Sequence, residues 1–256
     1  MDARLVAFER LLNIMDDLRE KCPWDRKQTT ESLRKLTIEE VYELSEAIIS
    51  GDQKGIREEL GDVMLHLVFY SKIGAEQGQF DITDVLNTVC DKLIFRHPHI
   101  YGDVEVADEE EVKRNWEQLK LKEGKKSVLE GVPNGLPSLV KAQRIQDKAR
   151  QVGFDWDDPA PVLEKVREEI AELEAAVQGS DQQHIEEELG DSLFALVNYA
   201  RFLNLDAEKA LEISNKKFIR RFKWMEQYAE TNALNMSEAD LETLDSWWAL
   251  AKQAVG

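Results

Sequence analysis

The stretch EEVYELSEAIISGDQKGIREELGD, Glu39–Asp62, decides the fold of this chain, which repeats it as EEIAELEAAVQGSDQQHIEEELGD at Glu168–Asp191. Between Glu39 and Tyr70, 16 of 32 residues are identical to the residue that lies 129 positions later. A solenoid needs shorter units and at least about three of them. The repeat therefore predicts two homologous domains in tandem.

Apolar residues recur at helical spacing in both copies. Leu60, Met64 and Leu67 follow one another at intervals of four and three residues, and the second copy repeats this spacing from Leu189. Such spacing places the side chains on one face of a helix. The sequence contains no long alternation of apolar and polar residues of the kind that marks a half-buried strand. The predicted fold class is all-α, with two tandem helical bundles.

Glycine and proline mark the boundary between the two predicted bundles. The segment GKKSVLEGVPNGLP, residues 124–137, is the stretch richest in residues that break helices. We predict that it is the interdomain linker. This prediction gives an N-terminal helical domain over residues 1–123 and a C-terminal helical domain over residues 138–256.

The composition narrows the classes of partner. The formal charge is 33 − 51 = −18, and a chain this acidic repels the phosphate backbone of nucleic acids. There are only two cysteines, Cys22 and Cys90, and no apolar run approaches the ~20 residues that span a bilayer. The sequence therefore predicts a cytoplasmic protein with neither a nucleic acid nor a membrane as its partner.

Carboxylates converge in each copy of the repeat. Glu40 and Glu43 lie three residues apart on one predicted helix, and Glu59 and Asp62 lie three apart on the next. The short turn SGDQKG between them makes the two helices antiparallel neighbours. Asp62 lies in an apolar run, as does its counterpart Asp191, so we expect both aspartates to face a packed side or a cleft.

Two interpretations of this acidic set are open: a solvated acidic face and a site for a divalent cation. Like charges at helical spacing repel one another by roughly 0.2–0.5 kcal/mol per pair even when they are exposed. A hard divalent cation removes that repulsion, and all-oxygen ligands favour Mg²⁺, Mn²⁺ or Ca²⁺ over Zn²⁺ or copper. The pattern and its duplication favour the cation site.

The doubled acidic motif resembles the MazG nucleoside triphosphate pyrophosphohydrolases. EExxE followed by ExxD occurs here together with CPWDRKQT at Cys22–Thr29, RHPH at Arg96–His99 and KFIRRF at Lys217–Phe222, as in the two-domain form of that family. The resemblance implies hydrolysis of a nucleoside triphosphate to the monophosphate and pyrophosphate, with Mg²⁺ or Mn²⁺ as cofactor, by a homodimer. It implies the following metal ligands: Glu40, Glu43, Glu59, Asp62, Glu169, Glu172, Glu188 and Asp191. A carboxylate that is not fully used in coordination, Glu168 or Glu39, is the predicted acceptor of the proton of water.

Basic and aromatic residues in the second half are candidates for substrate contacts. Lys217 and Arg221 lie four residues apart, so they either reach one polyphosphate or pair with acidic neighbours. The resemblance implies that they bind phosphate, that Trp248 stacks on the base, and that Lys120 reaches the nucleotide. The adjacent tryptophans Trp247 and Trp248 are also typical core or interface residues. No set of Asn or Gln residues accompanies Trp248, which predicts broad base tolerance.

The two copies differ, and other functions are open. KLIFRHPH at Lys92–His99 interrupts the basic helix with His97-Pro98, so the C-terminal domain is predicted to be the main catalyst. One alternative is another Mg²⁺–diphosphate enzyme, although the DDxxD motif of the all-α prenyl synthases is absent from the sequence. The other alternative is an acidic helical module that binds a protein partner.

Overall fold

Helices are the only regular secondary structure in the described part of the chain. The computed structural model describes residues 2–108, 111–112, 115–116, 119 and 127–256, and no strand occurs among them. The predicted all-α fold class is confirmed. The α-helices with assigned bounds are α1 Ala3–Lys21, α2 Thr30–Ser50, α3 Gln53–Glu76, α4 Ile82–Arg96, α5 Pro98–Tyr101, α6 Ser138–Arg150, α7 Pro159–Gly179, α8 Gln182–Phe202, α9 Ala207–Thr231 and α10 Leu241–Val255. None of these helices is both long enough and apolar enough to span a bilayer.

The chain divides into two compact units, Met1–Glu109 and Glu110–Gly256. Each unit contains one copy of the acidic repeat, in α2 and α3 or in α7 and α8. Residues 124–126 of the predicted linker lie outside the described part of the chain. The boundaries proposed above for that linker stay a prediction.

A tight turn joins the two helices of each acidic repeat. In the first unit, Gly51 ends α2 with a φ of 72°, and Asp52 caps α3 by accepting a hydrogen bond of 3.0 Å from the backbone N–H of Lys54. In the second unit, Ser180 adopts a φ of 59°, and Asp181 caps α8 in the same way. A turn this short leaves α2 and α3, or α7 and α8, packed side by side. It therefore brings the two acidic motifs of each copy to neighbouring helices.

Each unit has its own apolar core. In the first unit, Met15, Leu33, Val68, Phe69 and Ile73 pack together from α1, α2 and α3. In the second, Met225, Ala229, Trp247 and Ala251 pack together from α9 and α10. The interpretation of Trp247 as a core residue is thus confirmed.

The leucine face of α3 does not form part of this core. The exposed fractions of Leu60, Met64 and Leu67 are 53%, 43% and 48%. Asp62, on the same stretch, is exposed as well. Of the two expected settings, a packed side or a cleft, the packed side is thus wrong for Asp62. The helical period was predicted correctly, but the core of α3 lies on another face, which includes Val68 and Phe69.

Candidate metal centre

Three carboxylates converge in each unit. Ligand oxygens of Glu40, Glu43 and Glu59 all lie within 4.8 Å of one another, and this set is called here the first acidic cluster. The equivalent oxygens of Glu169, Glu172 and Glu188 meet the same limit and form the second acidic cluster. α2 or α7 supplies two residues of each cluster, and α3 or α8 supplies the third. The fourth predicted ligand of each copy, Asp62 or Asp191, lies outside these triplets.

The first acidic cluster is an uncompensated concentration of negative charge. Loss of hydration, followed by the charge of Asp62, raises the pKa of Glu40 above its ordinary value. Loss of hydration and the charge of Glu43 raise the pKa of Glu59. In the described part of the chain, no Lys or Arg forms an ion pair with any of the three glutamates of this cluster. Asp62 is not one of the three glutamates, but it lies close enough for its charge to raise the pKa of Glu40.

The second acidic cluster has a cation beside it. Nζ of Lys165 lies 2.8 Å from Oε1 of Glu168 and 2.7 Å from Oε1 of Glu169. Hydrogen bonds to these two carboxylates raise the pKa of Lys165 well above its ordinary value. Nδ1 of His184 lies 3.5 Å from Oε1 of Glu188. Loss of hydration and the charge of Glu169 raise the pKa of Glu172.

Lys165 and His184 were not predicted from the sequence. Each lies four residues before a cluster glutamate, at the spacing that brings side chains together on a helix. Helical spacing applies in both directions along the chain, so positions four residues before the glutamates are the signal that identifies both residues. The equivalent positions of the first copy, 129 residues earlier, are Leu36 and Gly55.

The donor set of the second acidic cluster fits a divalent cation. Oε2 of Glu188 is buried and has no hydrogen-bond partner among the described residues. An unsatisfied buried carboxylate oxygen is strongly unfavourable unless a cation or a donor meets it. Only 10% of the Glu169 side chain is exposed, so its carboxylate also lies largely out of water. Clustered carboxylate oxygens are ligands that Mg²⁺ and Mn²⁺ prefer.

A cavity of about 400 Å³ lies next to the second acidic cluster. Glu169, Asp191 and Lys165 line one part of it. Asp191 is therefore exposed but faces a cleft, as expected from its sequence context. The rest of the wall is largely apolar and aromatic, with few polar side chains, and its members include Ile145, Gln146, Phe154, Trp156, Phe194 and Asn198.

The predicted substrate residues of α9 and α10 lie close to one another. The guanidinium carbon of Arg221 lies 5.6 Å from the centroid of a Trp248 ring, and Phe218 packs against the same indole at 5.1 Å. Lys217 is exposed on α9. Neither Lys217 nor Arg221 forms an ion pair with a carboxylate of the second acidic cluster in the described residues. Lys120 lies outside the described part of the chain.

Known proteins resemble this chain over nearly its whole length. The MazG nucleotide pyrophosphohydrolase domain matches twice, over residues 28–101 and 158–225. The nucleoside triphosphate pyrophosphohydrolase/pyrophosphatase MazG of Thermotoga maritima is 48% identical over 252 residues, which are 96% of either chain. The nucleoside triphosphate pyrophosphohydrolase of Escherichia coli K12 is 42% identical over 255 residues, covering 96% of this chain and 97% of that protein.

A third relative is a longer protein, about half of which matches this chain. The uncharacterised protein YabN of Bacillus subtilis is 43% identical over 252 residues, which are 96% of this chain and 52% of that protein. The two domain matches cover the two acidic repeats, and the glutamates of both clusters lie inside them. The chain belongs to the MazG nucleotide pyrophosphohydrolase family.

Proposed function

We propose that this protein hydrolyses nucleoside triphosphates to nucleoside monophosphate and pyrophosphate, with Mg²⁺ as cofactor and Mn²⁺ as a substitute. The observation that carries the proposal is the position of the second acidic cluster. It forms part of the wall of a cavity large enough for part of a nucleotide, and it contains a buried carboxylate oxygen without a partner. The names of the relatives from Thermotoga maritima and Escherichia coli support the same reaction.

The residues of the second copy have separable roles. Glu169, Glu172, Glu188 and Asp191 would hold the cation, which when bound screens the phosphate charge and acidifies a water molecule. Glu168, whose Oε1 lies 2.8 Å from Nζ of Lys165, accepts the proton of the attacking water. The water oxygen forms a bond to the α-phosphorus while the bond from that phosphorus to the bridging oxygen breaks, and pyrophosphate leaves.

Cationic side chains complete the proposed substrate site. Lys217 and Arg221 bind the phosphates, Lys120 reaches the nucleotide, and Trp248 stacks on the base. The first acidic cluster binds a cation by the same ligand chemistry through Glu40, Glu43, Glu59 and Asp62, but it contributes little to turnover. We further propose broad base tolerance.

The apolar face of α3 and its counterpart on α8 support a proposal about the quaternary structure. Leu189, Leu193 and Leu196 are about half exposed, as are their equivalents in the first copy. Apolar patches of this kind are typical of protein interfaces. We propose that they are covered in a homodimer. The two free cysteines are compatible with a cytoplasmic location, and we propose neither a nucleic acid nor a membrane as partner.

Product analysis tests the proposed reaction. The protein is incubated with each nucleoside triphosphate, with Mg²⁺ or with excess EDTA, and the products are separated by anion-exchange chromatography. We expect equal amounts of monophosphate and pyrophosphate with Mg²⁺ and neither product with EDTA. Nucleoside diphosphate and orthophosphate as first products, or full activity in EDTA, contradict the proposal.

A further inference from the structure

We propose that Lys148 is a positioning residue for the cavity beside the second acidic cluster: it holds the segment in front of α6, and that segment supplies Leu129 to the cavity wall. The segment, residues 127–137, is the described part of the predicted linker and is called here the strap. The inference rests on the proposed function, because it treats the cavity as part of the substrate site. Lys148 is not among the residues that line the cavity, so it acts through the strap.

Lys148 places a charged side chain in the interior of the second unit. Only 2% of the residue is exposed, and it lies near the end of α6. A buried ammonium group is strongly unfavourable unless hydrogen-bond acceptors meet it. One of its acceptors is the backbone oxygen of Val128 in the strap, at 3.0 Å from Nζ. The burial of Lys148 is therefore coupled to the position of the strap against α6.

Both polar ends of the peptide unit between Val128 and Leu129 are held. Nζ of Lys148 donates to the Val128 oxygen, and the N–H of Leu129 donates to Oγ of Ser127 at 3.2 Å. A peptide unit is planar, so fixing its oxygen and its nitrogen fixes the position of the Leu129 α-carbon. Leu129 lines the cavity, and 47% of the residue is exposed. A nucleotide bound in the cavity would cover this apolar surface.

A second lysine holds the far end of the strap. Nζ of Lys141 donates to the backbone oxygen of Asn134 at 2.6 Å. Lys141 and Lys148 lie seven residues apart, about two helical turns, so they share one face of α6. Asn134 is not one of the cavity-lining residues. Of the two lysines, Lys148 is therefore the one that holds the part of the strap next to the cavity.

The first copy uses the equivalent cation differently. The residue 129 positions before Lys148 is Arg19, whose side chain is only 10% exposed. Its guanidinium donates to the backbone oxygens of Asp25 and Gln28, in the loop that follows α1. The cation of the first copy thus holds the loop after its helix, whereas Lys148 holds the segment before its helix. The contact with the strap distinguishes the second copy, whose acidic cluster adjoins the cavity.

Four variants test the inference. Lys148→Met removes the charge at similar side-chain length, Lys148→Arg keeps a donor of the kind present in the first copy, and Leu129→Ala shortens the residue at the cavity. The matched control is Lys141→Met, the same substitution on the same face of the same helix. Replacing a buried charge with an apolar side chain of similar volume is often tolerated, so we expect Lys148→Met to fold. Circular dichroism checks each variant.

Hydrogen–deuterium exchange without nucleotide, read by mass spectrometry, measures how firmly the strap is held. The N–H groups of Glu130 and Val132 donate to backbone oxygens within the strap at 3.1 and 3.2 Å. We expect Lys148→Met to raise the exchange rate of these amides about ten-fold, and Lys148→Arg to keep it within about three-fold of the wild type. Unchanged exchange in Lys148→Met overturns the role of Lys148, whatever reaction the protein proves to catalyse.

Steady-state kinetics decide whether Lys148 acts through Leu129. We expect KM to rise about ten-fold in Lys148→Met and in Leu129→Ala, with kcat within about three-fold, while Lys141→Met stays close to the wild type. The double variant Lys148→Met/Leu129→Ala should have the KM of either single variant, because both changes remove the same contact. A double variant whose two effects multiply, or an equal rise of KM in Lys141→Met, overturns the inference and leaves the proposed reaction intact.

Ser127→Ala provides the test should Lys148→Met be unfolded. It frees the other end of the peptide unit at an exposed residue, and we expect it to raise KM about three-fold in the wild type but not in Leu129→Ala. Equal rises in both backgrounds overturn the inference.

Calorimetry replaces KM where no hydrolysis is detected, with a triphosphate analogue that has a methylene bridge between its α- and β-phosphorus. Weaker binding by Lys148→Met than by the wild type and Lys141→Met supports the inference without the reaction. Equal binding by the three proteins overturns it.

Discussion

The two acidic clusters have the same carboxylates but different surroundings. In the second copy, Lys165 contacts the cluster and a cavity adjoins it, whereas the first copy has Leu36 at the position of the lysine and Phe69 at a cavity-wall position. The two copies share these carboxylates and differ in the residues that surround them. The carboxylates alone therefore do not distinguish the two copies, and any difference in activity has to come from their neighbours.

The largest expected effect is a loss of kcat/KM when a glutamate of the second acidic cluster is replaced. Glu172→Gln removes one charged ligand from the second acidic cluster, and we expect kcat/KM to fall at least about 100-fold, or roughly 2.7 kcal/mol of transition-state stabilisation. Glu43→Gln is the matched change in the first acidic cluster and is expected to have a much smaller effect. Steady-state kinetics with several triphosphates measure both, and circular dichroism verifies folding. Equal losses in the two variants would show that both copies work.

Lys165 gives the second acidic cluster a positive charge that the first lacks, because the equivalent residue there is Leu36. Exchanging these two residues tests the effect of that charge. Lys165→Leu removes a positive charge beside the cation ligands, so we expect tighter Mg²⁺ binding by the second acidic cluster, by about 1 kcal/mol or roughly five-fold. The same variant should lose activity, because Glu168 loses the partner that holds it. Leu36→Lys is the reverse change and is expected to weaken binding by the first acidic cluster. Calorimetric Mg²⁺ titration measures both, and weaker binding in Lys165→Leu contradicts the electrostatic argument.

The pH dependence of cation binding should differ between the clusters. The pKa values of Glu40 and Glu59 are raised in the folded first unit, so the metal-free fold binds protons there more tightly than the unfolded chain does. The ionised glutamates therefore lower the folding stability of the first unit at neutral pH. This loss of stability is relieved as the pH falls through the raised pKa values. Protons and Mg²⁺ compete for these carboxylates, so lower pH weakens binding.

In the second acidic cluster, loss of hydration and the charge of Glu169 raise the pKa of Glu172, but the charge of Lys165 offsets part of that rise. We therefore expect Mg²⁺ affinity to depend less steeply on pH at this cluster. Each cluster is titrated with Mg²⁺ at pH 7.5 and pH 5 in a variant whose other cluster is impaired. Glu172→Gln therefore reports mainly on the first acidic cluster, and Glu43→Gln reports mainly on the second. We expect affinity to fall about three-fold more at the first cluster. The same fall at both clusters would contradict this assignment.

The smallest effect concerns the turn between the two acidic helices. Ser180 occupies the left-handed conformation that Gly51 occupies in the first copy, and this conformation is unfavourable for any residue with a β-carbon. We expect Ser180→Gly to raise the free energy of unfolding by about 0.5 kcal/mol, because relief of strain exceeds the added entropy of the unfolded chain. Gly51→Ser should lower it by a similar amount. Thermal unfolding of both variants measures the difference, and destabilisation by Ser180→Gly would contradict the argument.

Local spacing explains which features could be predicted from the sequence. The all-α fold, the turn at Gly51 and the meeting of Glu40 with Glu59 follow from helical periodicity and a short connection. The contact of Lys165 with Glu169 was equally local and could have been found by searching both directions along the helix.

Other features depend on tertiary packing. Gln146 of α6 reaches the backbone of Phe194 on α8, 48 residues away in the sequence, and no local pattern predicts that contact. The exposure of Leu60 has the same origin, because α1 packs against another face of α3. Spacing along one helix predicts the relative positions of side chains, but it does not predict which face a distant helix covers.

Isotope incorporation measures whether the second copy carries out attack of water at the α-phosphorus. Two double variants, Glu43→Gln/Asp62→Asn and Glu172→Gln/Asp191→Asn, hydrolyse a triphosphate in ¹⁸O-labelled water with Mg²⁺, and mass spectrometry locates the label. We predict that the first variant places ¹⁸O in the monophosphate at close to the wild-type rate, and that the second does so at about one hundredth of that rate or less. Label in pyrophosphate, or equal rates in the two variants, would contradict the account.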